Sequence, residues 1–183
     1  MDLNPEDIAL NQTHAWHGTA IGWLNSYNSC TKKLHIVSQW FCGIELIASN
    51  IKVLAYSVYM PTLGKDEEFC EVIQTLTCDI QTHVSDKHIL LLCMDSNQST
   101  KSSYRRSFEM NKFIEMFSLT LILKNNKNPT FHHHNGSESQ IDHIYHNQEE
   151  IIGFNKLLCK YDFSENLSSH DALIGSIPLK YWN

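Results

Sequence analysis

The chain has 183 residues, of which 42% are hydrophobic and 10% aromatic, a composition that suits one domain spanning residues 1–183 with its own core. Its formal net charge of −6 argues against a general nucleic-acid binder, so any contact with nucleic acid must be local or bridged by a metal ion. The six cysteines include no C-x-x-C pair, the first residues are acidic and polar, and no apolar run approaches the roughly 18 residues that span a bilayer. We therefore expect an intracellular protein with free thiols, in the nucleus or cytoplasm, that is neither secreted nor bound to a membrane.

The first third of the chain predicts four strands. Short apolar runs at Asp7–Leu10 and Gly18–Leu24 are the first two. Phe41–Ala48 and Ile51–Tyr59 follow, and the two polar residues between them are typical of an antiparallel hairpin. Pro61 cannot continue an internal ladder, so it marks the end of this unit.

Two amphipathic helices are predicted on either side of a buried strand. The acids of Asp66–Glu68 suit the positive end of a helix dipole, and Ser103–Phe117 is the second helical segment. Between them, the apolar run Ile89–Asp95 predicts a strand buried on both faces. At helical spacing, the inward residues are Phe69, Val72, Ile73, Leu76, Ile80 and Val84 in the first helix, and Met110, Phe113, Ile114 and Phe117 in the second.

The last third of the chain predicts strands separated by turns. Leu119–Leu123 is a strand, Asn125–Pro129 is a loop, and Asn135-Gly136 is a tight-turn signal. Ser139–Tyr145 and Ala172–Leu179 are the last two strands. Strands outnumber helices, and hairpins are mixed with strand–helix–strand units, so the predicted class is α/β with two packed sheets.

Polar side chains cluster where the apolar runs end. The clusters are Asn11/Gln12, Tyr59, Asp95/Asn97, Ser139/Asp142 and Ser169/His170/Asp171. Each has an ordinary structural explanation: Asp95 and Asn97 are turn formers, Tyr59 could be a packing residue, and His170 could cap the last strand. Ligand groups of open α/β sheets nevertheless collect at the carboxyl ends of strands, and Asp95 and Asn97 project in the same direction. The recurrence of all five clusters at strand ends favours a shared site.

Five short motifs in this order resemble the endonuclease/exonuclease/phosphatase superfamily, which includes deoxyribonuclease-I-like enzymes. They read Leu-Asn-Gln-Thr at 10–13, Tyr-Met-Pro at 59–61, Cys-Met-Asp-Ser-Asn at 93–97, Ser-Gln-Ile-Asp-His at 139–143 and Ser-Ser-His at 168–170. Pro-Thr-Phe at 129–131 and Arg105-Arg106 look most like the endonuclease domains of non-LTR retrotransposons. The resemblance implies a four-layer α-β-β-α sandwich of two mixed sheets flanked by helices, with the family's first strand missing before residue 1.

The resemblance also implies a role for each of five residues in phosphodiester hydrolysis. Asp95 would orient or deprotonate the attacking water, and Asn97 would hold that water or the phosphate. His170 would bind a phosphoryl oxygen while Asp142 accepts its other N–H and fixes the tautomer. Tyr59 would donate a hydrogen bond to the phosphate.

The metal site that the resemblance implies has lost two acids. Mg²⁺, or alternatively Mn²⁺, would be held by Asp95 together with the residues at Gln12 and Ser169. The family has Glu at the first of these two positions and Asp at the second. An amide or hydroxyl oxygen can still ligate a hard cation but brings no charge, so both are expected to be weak ligands. We do not expect Asp171, on the opposite face of an extended segment, to substitute for the missing Asp.

A basic segment could contact nucleic acid, and a histidine-rich segment could hold a metal ion. A local basic patch is formed by Lys101, Arg105 and Arg106. It would touch a nucleic-acid backbone or, alternatively, is only the solvated start of a helix. His132–His134 alternate faces if they are extended, and no acid or Cys lies at ligand spacing, so they predict a surface loop. The implied partner is DNA, or alternatively RNA, and a reverse transcriptase domain of a parent polyprotein. We expect a monomer.

Three functions remain open from the sequence. The first is a metal-dependent endonuclease that nicks DNA, as in retrotransposons. The second is a truncated, catalytically impaired remnant of that fold with at most weak nucleic-acid binding. The third is a phosphatase or lipid phosphodiesterase of the same superfamily.

Overall fold

The computed structural model describes most of the chain between residues 19 and 174. The described ranges are 19–48, 51–98, 103–122, 129–147, 158–160, 169–170 and 172–174. The predicted strand Asp7–Leu10 and the predicted site residues Gln12, Lys101 and Asp171 lie outside these ranges. No helix within them has the length and apolar character needed to cross a membrane.

The described ranges contain ten strands and two α-helices. The strands are β1 (Thr31–Lys33), β2 (Phe41–Ala48), β3 (Ile51–Tyr59), β4 (His88–Asp95), β5 (Thr120–Leu121), β6 (Phe131–His132), β7 (Glu138–Ser139), β8 (Asp142–His146), β9 (Leu158–Lys160) and β10 (Ala172–Ile174). The helices are α1 (Asp66–His83) and α2 (Tyr104–Met116). Both predicted helices, the predicted hairpin and the predicted central strand are present.

Six of these strands form one mixed sheet in the order β1-β2-β3-β4-β8-β5. The β3–β4 pair is parallel and is connected through α1, whereas the other pairs are antiparallel. A second, small sheet pairs β9 with β10, and β10 contacts β8. The β6–β7 hairpin stands apart as a two-stranded unit. The chain therefore has the α/β architecture that the sequence predicts.

Helices α1 and α2 cover one face of the six-stranded sheet and form the core with it. The core residues on the helices include Phe69, Val72, Ile73, Leu76, Ile80, Met110 and Phe113, and those on β3 and β4 include Leu54, Tyr56, Val58, Leu90, Leu92 and Met94. The stripe predicted for α1 is confirmed, because its apolar side chains, which recur at helical spacing, are buried in this core or, at Val84, packed against it. One polar contact fixes α1 on this face: the Tyr56 hydroxyl donates to Asp79 Oδ2 at 2.7 Å.

The central strand β4 is less evenly buried than its sequence predicts. His88, Leu90, Leu92 and Met94 are buried, whereas the alternate residues are half-buried or, at Cys93, exposed. Side chains of a strand alternate between the two faces of its sheet. The helix-covered face is therefore the deeply buried one, and Asp95 belongs to the opposite face.

Two predicted strands differ in the structure. Over 19–24, the described part of the predicted strand Gly18–Leu24, only Leu24 makes a β-bridge. The predicted strand Ser139–Tyr145 is divided into β7 and β8 at Ile141, whose carbonyl accepts hydrogen bonds from Ser96 rather than from a ladder partner.

Arg106 connects α2 to the segment that follows β3. Its side chain is 0% exposed, and its guanidinium donates to the carbonyls of Pro61 and Thr62 while lying 4.2 Å from the centre of the Phe69 ring. Burial lowers the pKa of Arg106, and the carboxylate of Asp66, 3.9 Å away, opposes that effect. The prediction that Arg106 touches a nucleic acid is therefore wrong, because no part of its side chain reaches the surface.

We expect Arg106→Ala to lower the free energy of unfolding by about 3 kcal/mol, since it leaves a cavity and two carbonyls without their donors. Arg105 is the matched control because it is adjacent in sequence and exposed. Arg105→Ala is expected to change stability by less than about 0.5 kcal/mol. Urea unfolding of both variants measures the difference, and equal stabilities would contradict the structural role of Arg106.

Candidate active site

Three of the predicted site residues lie side by side across three neighbouring strands. Tyr59 of β3 pairs in register with Asp95 of β4, and Asp95 pairs in register with Asp142 of β8. Residues paired in register project from the same face of a sheet. The three side chains therefore form a row on the face away from α1 and α2, at the carboxyl ends of the parallel strands.

The carboxyl group of Asp95 has a perturbed pKa. Burial, reinforced by the nearby Asp142 carboxylate, raises the pKa of Asp95 to about 6. The N–H of Asn97, which donates to Asp95 Oδ1 at 3.1 Å, and the imidazole of His170 partly offset that rise. A carboxyl group with a pKa near neutrality can exchange a proton under physiological conditions, which is what a general base requires.

Asp142 and His170 form a hydrogen-bonded pair. His170 Nδ1 lies 3.0 Å from Asp142 Oδ2 and 3.3 Å from Oδ1. An ionised carboxylate only accepts hydrogen bonds, so Nδ1 carries the proton and donates it. The pair therefore has the geometry that the sequence predicts, with the imidazole held in one tautomer.

The turn after β4 places Asn97 beside the row. Asn97 has a φ of 45°, a left-handed conformation that Asn adopts more readily than most residues. Its Nδ2 donates to the carbonyl of Met60 at 2.7 Å. One amide N–H is therefore committed to the main chain, and the second N–H and Oδ1 are the groups that a ligand could contact.

Ser96 anchors the same turn to the start of β8. Its N–H and its hydroxyl both donate to the carbonyl of Ile141, each at 2.8 Å, and its side chain is 1% exposed. Because Ile141 precedes Asp142, these two bonds fix the two acids relative to each other. Nothing in the local sequence pattern singles out Ser96, because its acceptor lies 45 residues away along the chain.

Asp95, Asp142 and His170 could hold a metal ion. Within the described ranges they are the group whose ligand atoms, one from each residue, lie within 4.8 Å of one another. Two ionised carboxylates at this separation repel each other, and a divalent cation between them would relieve the repulsion. The donor set therefore fits a hard cation held mainly by the two carboxylates, since His170 Nδ1 is engaged with Asp142.

A cavity of about 880 Å³ lies in front of the row. It is lined by Tyr59, Thr62, Leu63, Asp95, Asn97, Phe131, His133, His134, Asn135, Ser137, Glu138, Ser139, Ile141 and His170. The β6–β7 hairpin thus forms one wall. The exposed His133 and His134 on it agree with the predicted surface loop, whereas His132 belongs to strand β6 and its Nδ1 lies 3.0 Å from Glu138 Oε1. The cavity is large enough for a nucleotide-sized ligand. Four of the predicted site residues line it, namely Tyr59, Asp95, Asn97 and His170.

Two further predicted site residues lie elsewhere in the described structure. Arg105 is exposed and lines a separate groove of about 380 Å³ between α1 and α2, so its contact with nucleic acid stays a prediction. Ser169 is exposed, and its carbonyl accepts the N–H of His132 at 2.9 Å. The role of its hydroxyl as a weak metal ligand likewise stays a prediction.

No protein-family model and no curated protein matches this sequence. Among solved structures, the endonuclease domain of TRAS1, a telomere-specific non-LTR retrotransposon, superposes with a TM-score of 0.71 at 14% identity, over 95% of this chain and 81% of that one. The 3′ phosphatase NExo from Neisseria, bound to a product DNA hairpin, gives a TM-score of 0.58 at 15% identity, over 74% and 64% of the two chains. An AP endonuclease from Archaeoglobus fulgidus gives a TM-score of 0.55 at 15% identity, over 76% of this chain and 65% of that one.

These structures agree with the described chain in architecture, while their identities of 14–15% carry no information on activity. The architecture is also the one that the five sequence motifs imply. The chain therefore has the same fold as these endonuclease and phosphatase structures.

Proposed function

We propose that the chain is a metal-dependent phosphodiester hydrolase that nicks DNA, of the kind found in non-LTR retrotransposons. The observation that supports this most directly is the row of Tyr59, Asp95 and Asp142, with His170 hydrogen-bonded to its last member. Two neighbouring carboxylates, one of which is placed to act as the base, and a fixed imidazole beside one cavity are the groups that hydrolysis of a phosphodiester requires. The names of the similar structures, two endonucleases and a phosphatase bound to DNA, point to the same substrate class.

In this proposal Asp95 accepts the proton of the attacking water. Its carboxylate is a proton acceptor, and its fixed position beside Asn97 orients the water. The free N–H or Oδ1 of Asn97 holds that water or a phosphoryl oxygen. Both residues are anchored through the main chain at the end of β4, so that little reorganisation accompanies the reaction.

His170 and Tyr59 stabilise the phosphoryl group. Asp142 accepts the Nδ1–H of His170, and a second proton on Nε2 would let the ring donate Nε2–H to a non-bridging oxygen. Tyr59 lines the same cavity, with its ring stacked on Trp40 at a centroid distance of 6.0 Å. The stacking holds the phenol in one orientation, from which it would donate to the phosphate.

Mg²⁺ is the cation we assign to the site, with Mn²⁺ as a substitute. The carboxylates of Asp95 and Asp142 would hold it, with the predicted weak ligands Gln12 and Ser169. When bound, such an ion neutralises charge on the phosphoryl oxygens and assists departure of the leaving oxygen. Two uncharged residues in place of acids imply weak metal binding, so we expect activity to need millimolar rather than micromolar metal.

The remaining parts of the proposal concern partners. DNA is the proposed substrate and RNA the alternative, with Arg105 as a contact to the backbone. The net charge of −6 makes metal-bridged contact with the reacting phosphate more important than a general basic surface. The proposal also includes a monomeric protein in the nucleus or cytoplasm. Its parent polyprotein would carry a reverse transcriptase domain.

We expect wild-type protein with Mg²⁺ to nick supercoiled plasmid and EDTA to abolish the nicking. Asp95→Asn should lower the rate by about 100-fold or more, because the base is removed while the side-chain shape is kept. Asp86→Asn is the matched control, since Asp86 is an exposed acid in the turn before β4. Nicking that survives EDTA, or that is lost equally in both variants, would contradict the proposed site.

The same Asp95→Asn variant should be more stable than the wild type at high pH. Folding raises the pKa of Asp95 from 3.8 to about 6, so its contribution to stability is complete below about pH 3.8 and lost as the pH rises through about 6. In EDTA we expect a gain of about 1 kcal/mol at pH 8, where water partly screens this half-buried group, and no gain at pH 3.5. Urea unfolding at the two pH values measures this, and an equal gain at both would mean that ionisation of Asp95 is not its cause.

The impaired remnant is the second candidate, favoured by the uncharged Gln12 and Ser169 at expected metal positions. It requires that the wild type turns over no plasmid, while Gln12→Glu combined with Ser169→Asp binds Mg²⁺ at least about tenfold more tightly in calorimetry. If the double variant gains no affinity, our placement of these two residues is wrong. Release of phosphate from a 3′-phosphorylated oligonucleotide without plasmid nicking would favour the phosphatase instead.

A further inference from the structure

The hydroxyl of Thr130 holds the main chain at the start of β8. Thr130 is 0% exposed, and its Oγ1 accepts the N–H of Ile141 at 3.1 Å and the N–H of Asp142 at 3.0 Å. A hydroxyl oxygen accepts two hydrogen bonds, so its acceptor capacity is filled. Because the N–H of Thr130 itself donates to the carbonyl of Ser139, the residue is fixed to the β6–β7 hairpin at the same time.

The next residue, Phe131, holds His170. The two residues form an antiparallel β-bridge, and the N–H of His132 donates to the carbonyl of Ser169 at 2.9 Å. The Phe131 ring also packs on the imidazole of His170, at a centroid distance of 4.6 Å and an angle of 57°. Its other contact is the His133 ring, at 4.4 Å and 88°.

We propose that Thr130 and Phe131 are positioning residues for the Asp142–His170 pair. Thr130 fixes the main chain of Asp142, and Phe131 fixes the main chain and the ring of His170, so one dipeptide sets the 3.0 Å hydrogen bond between them. The geometric part stands on these contacts alone. The catalytic consequence rests on the proposed function.

Thr130 and Phe131 restrict two movements that would break the hydrogen bond of the pair. Asp142 lies in register with Asp95, and repulsion between the two carboxylates would turn an unrestrained Asp142 side chain away. The side chain of His170 is 34% exposed, so burial alone does not select one ring orientation. Thr130 fixes the main chain from which the Asp142 side chain projects, and the Phe131 ring restricts rotation of the His170 ring.

The geometric part is tested by nuclear magnetic resonance of the histidine rings in metal-free protein, with His170 assigned through His170→Gln. Phe131→Leu removes the ring current over His170, and Thr130→Val removes the acceptor that fixes Asp142. We expect both to shift the ¹⁵N resonance of His170 Nδ1, which reports the hydrogen bond to Asp142. Ring-proton shifts in Phe131→Leu follow from the lost ring current alone and do not count as support. Thr130→Ser, which keeps the hydroxyl, should leave the Nδ1 resonance near its wild-type value. Tyr56→Phe is the control, because it removes a hydrogen bond on the opposite face of the same sheet.

The catalytic part is tested by plasmid-nicking kinetics of the same variants. Misplacement of a reacting group by about 1 Å can cost about 100-fold in rate. We expect Thr130→Val and Phe131→Leu to lower kcat by about that factor with little change in KM, while Thr130→Ser and Tyr56→Phe stay near the wild type. If Thr130→Val does not fold, Phe131→Leu decides by itself.

The outcomes separate this inference from the proposed function. Unchanged His170 Nδ1 resonances in Phe131→Leu and Thr130→Val would overturn the inference. Shifted resonances with unchanged kcat would overturn its catalytic part. Shifted resonances in a protein whose wild type nicks no DNA would support the positioning role and refute the proposed function.

Discussion

The site depends on the register in which β4 pairs with its two neighbours. The parallel pairing with β3 brings Tyr59 beside Asp95, and the antiparallel pairing with β8 brings Asp142 to the other side. A shift of one residue in either pair would turn the partner to the opposite face of the sheet. Two hydrogen bonds from Ser96 to the carbonyl of Ile141 fix the β4–β8 register next to the Asp95–Asp142 pair.

The two faces of the sheet have separate tasks. The face under α1 and α2 holds most of the buried apolar side chains and the Tyr56–Asp79 hydrogen bond, and so supplies stability. The other face carries the polar row and the cavity. Arg106 links the two faces, since it is a buried residue of α2 and donates to the carbonyls of Pro61 and Thr62 just beyond Tyr59. Packing of the helices thus reaches the rim of the site.

Concentrating acids on this face lowers the stability of the folded protein. Burial and the neighbouring carboxylate raise the pKa of Asp95 to about 6, which means that its ionised form is disfavoured in the folded protein. A cation would remove this cost, and the structure holds the carboxylates close enough to bind one. The two positions at which the sequence has Gln12 and Ser169 would then decide how tightly it is held.

The sequence by itself determined which residues stand at strand ends, because periodicity and turn chemistry are local. The helices, the β2–β3 hairpin and the positions of Tyr59, Asp95 and Asn97 follow from it, and the order of motifs indicated the fold. Only the tertiary structure decided that Arg106 is buried, since its acceptors lie more than forty residues away. The same holds for the division of the predicted strand at Ile141 and for the contacts of Thr130 and Phe131. Hydrogen bonds between distant segments leave no periodic pattern in the sequence, and it is these bonds that set the geometry of the site.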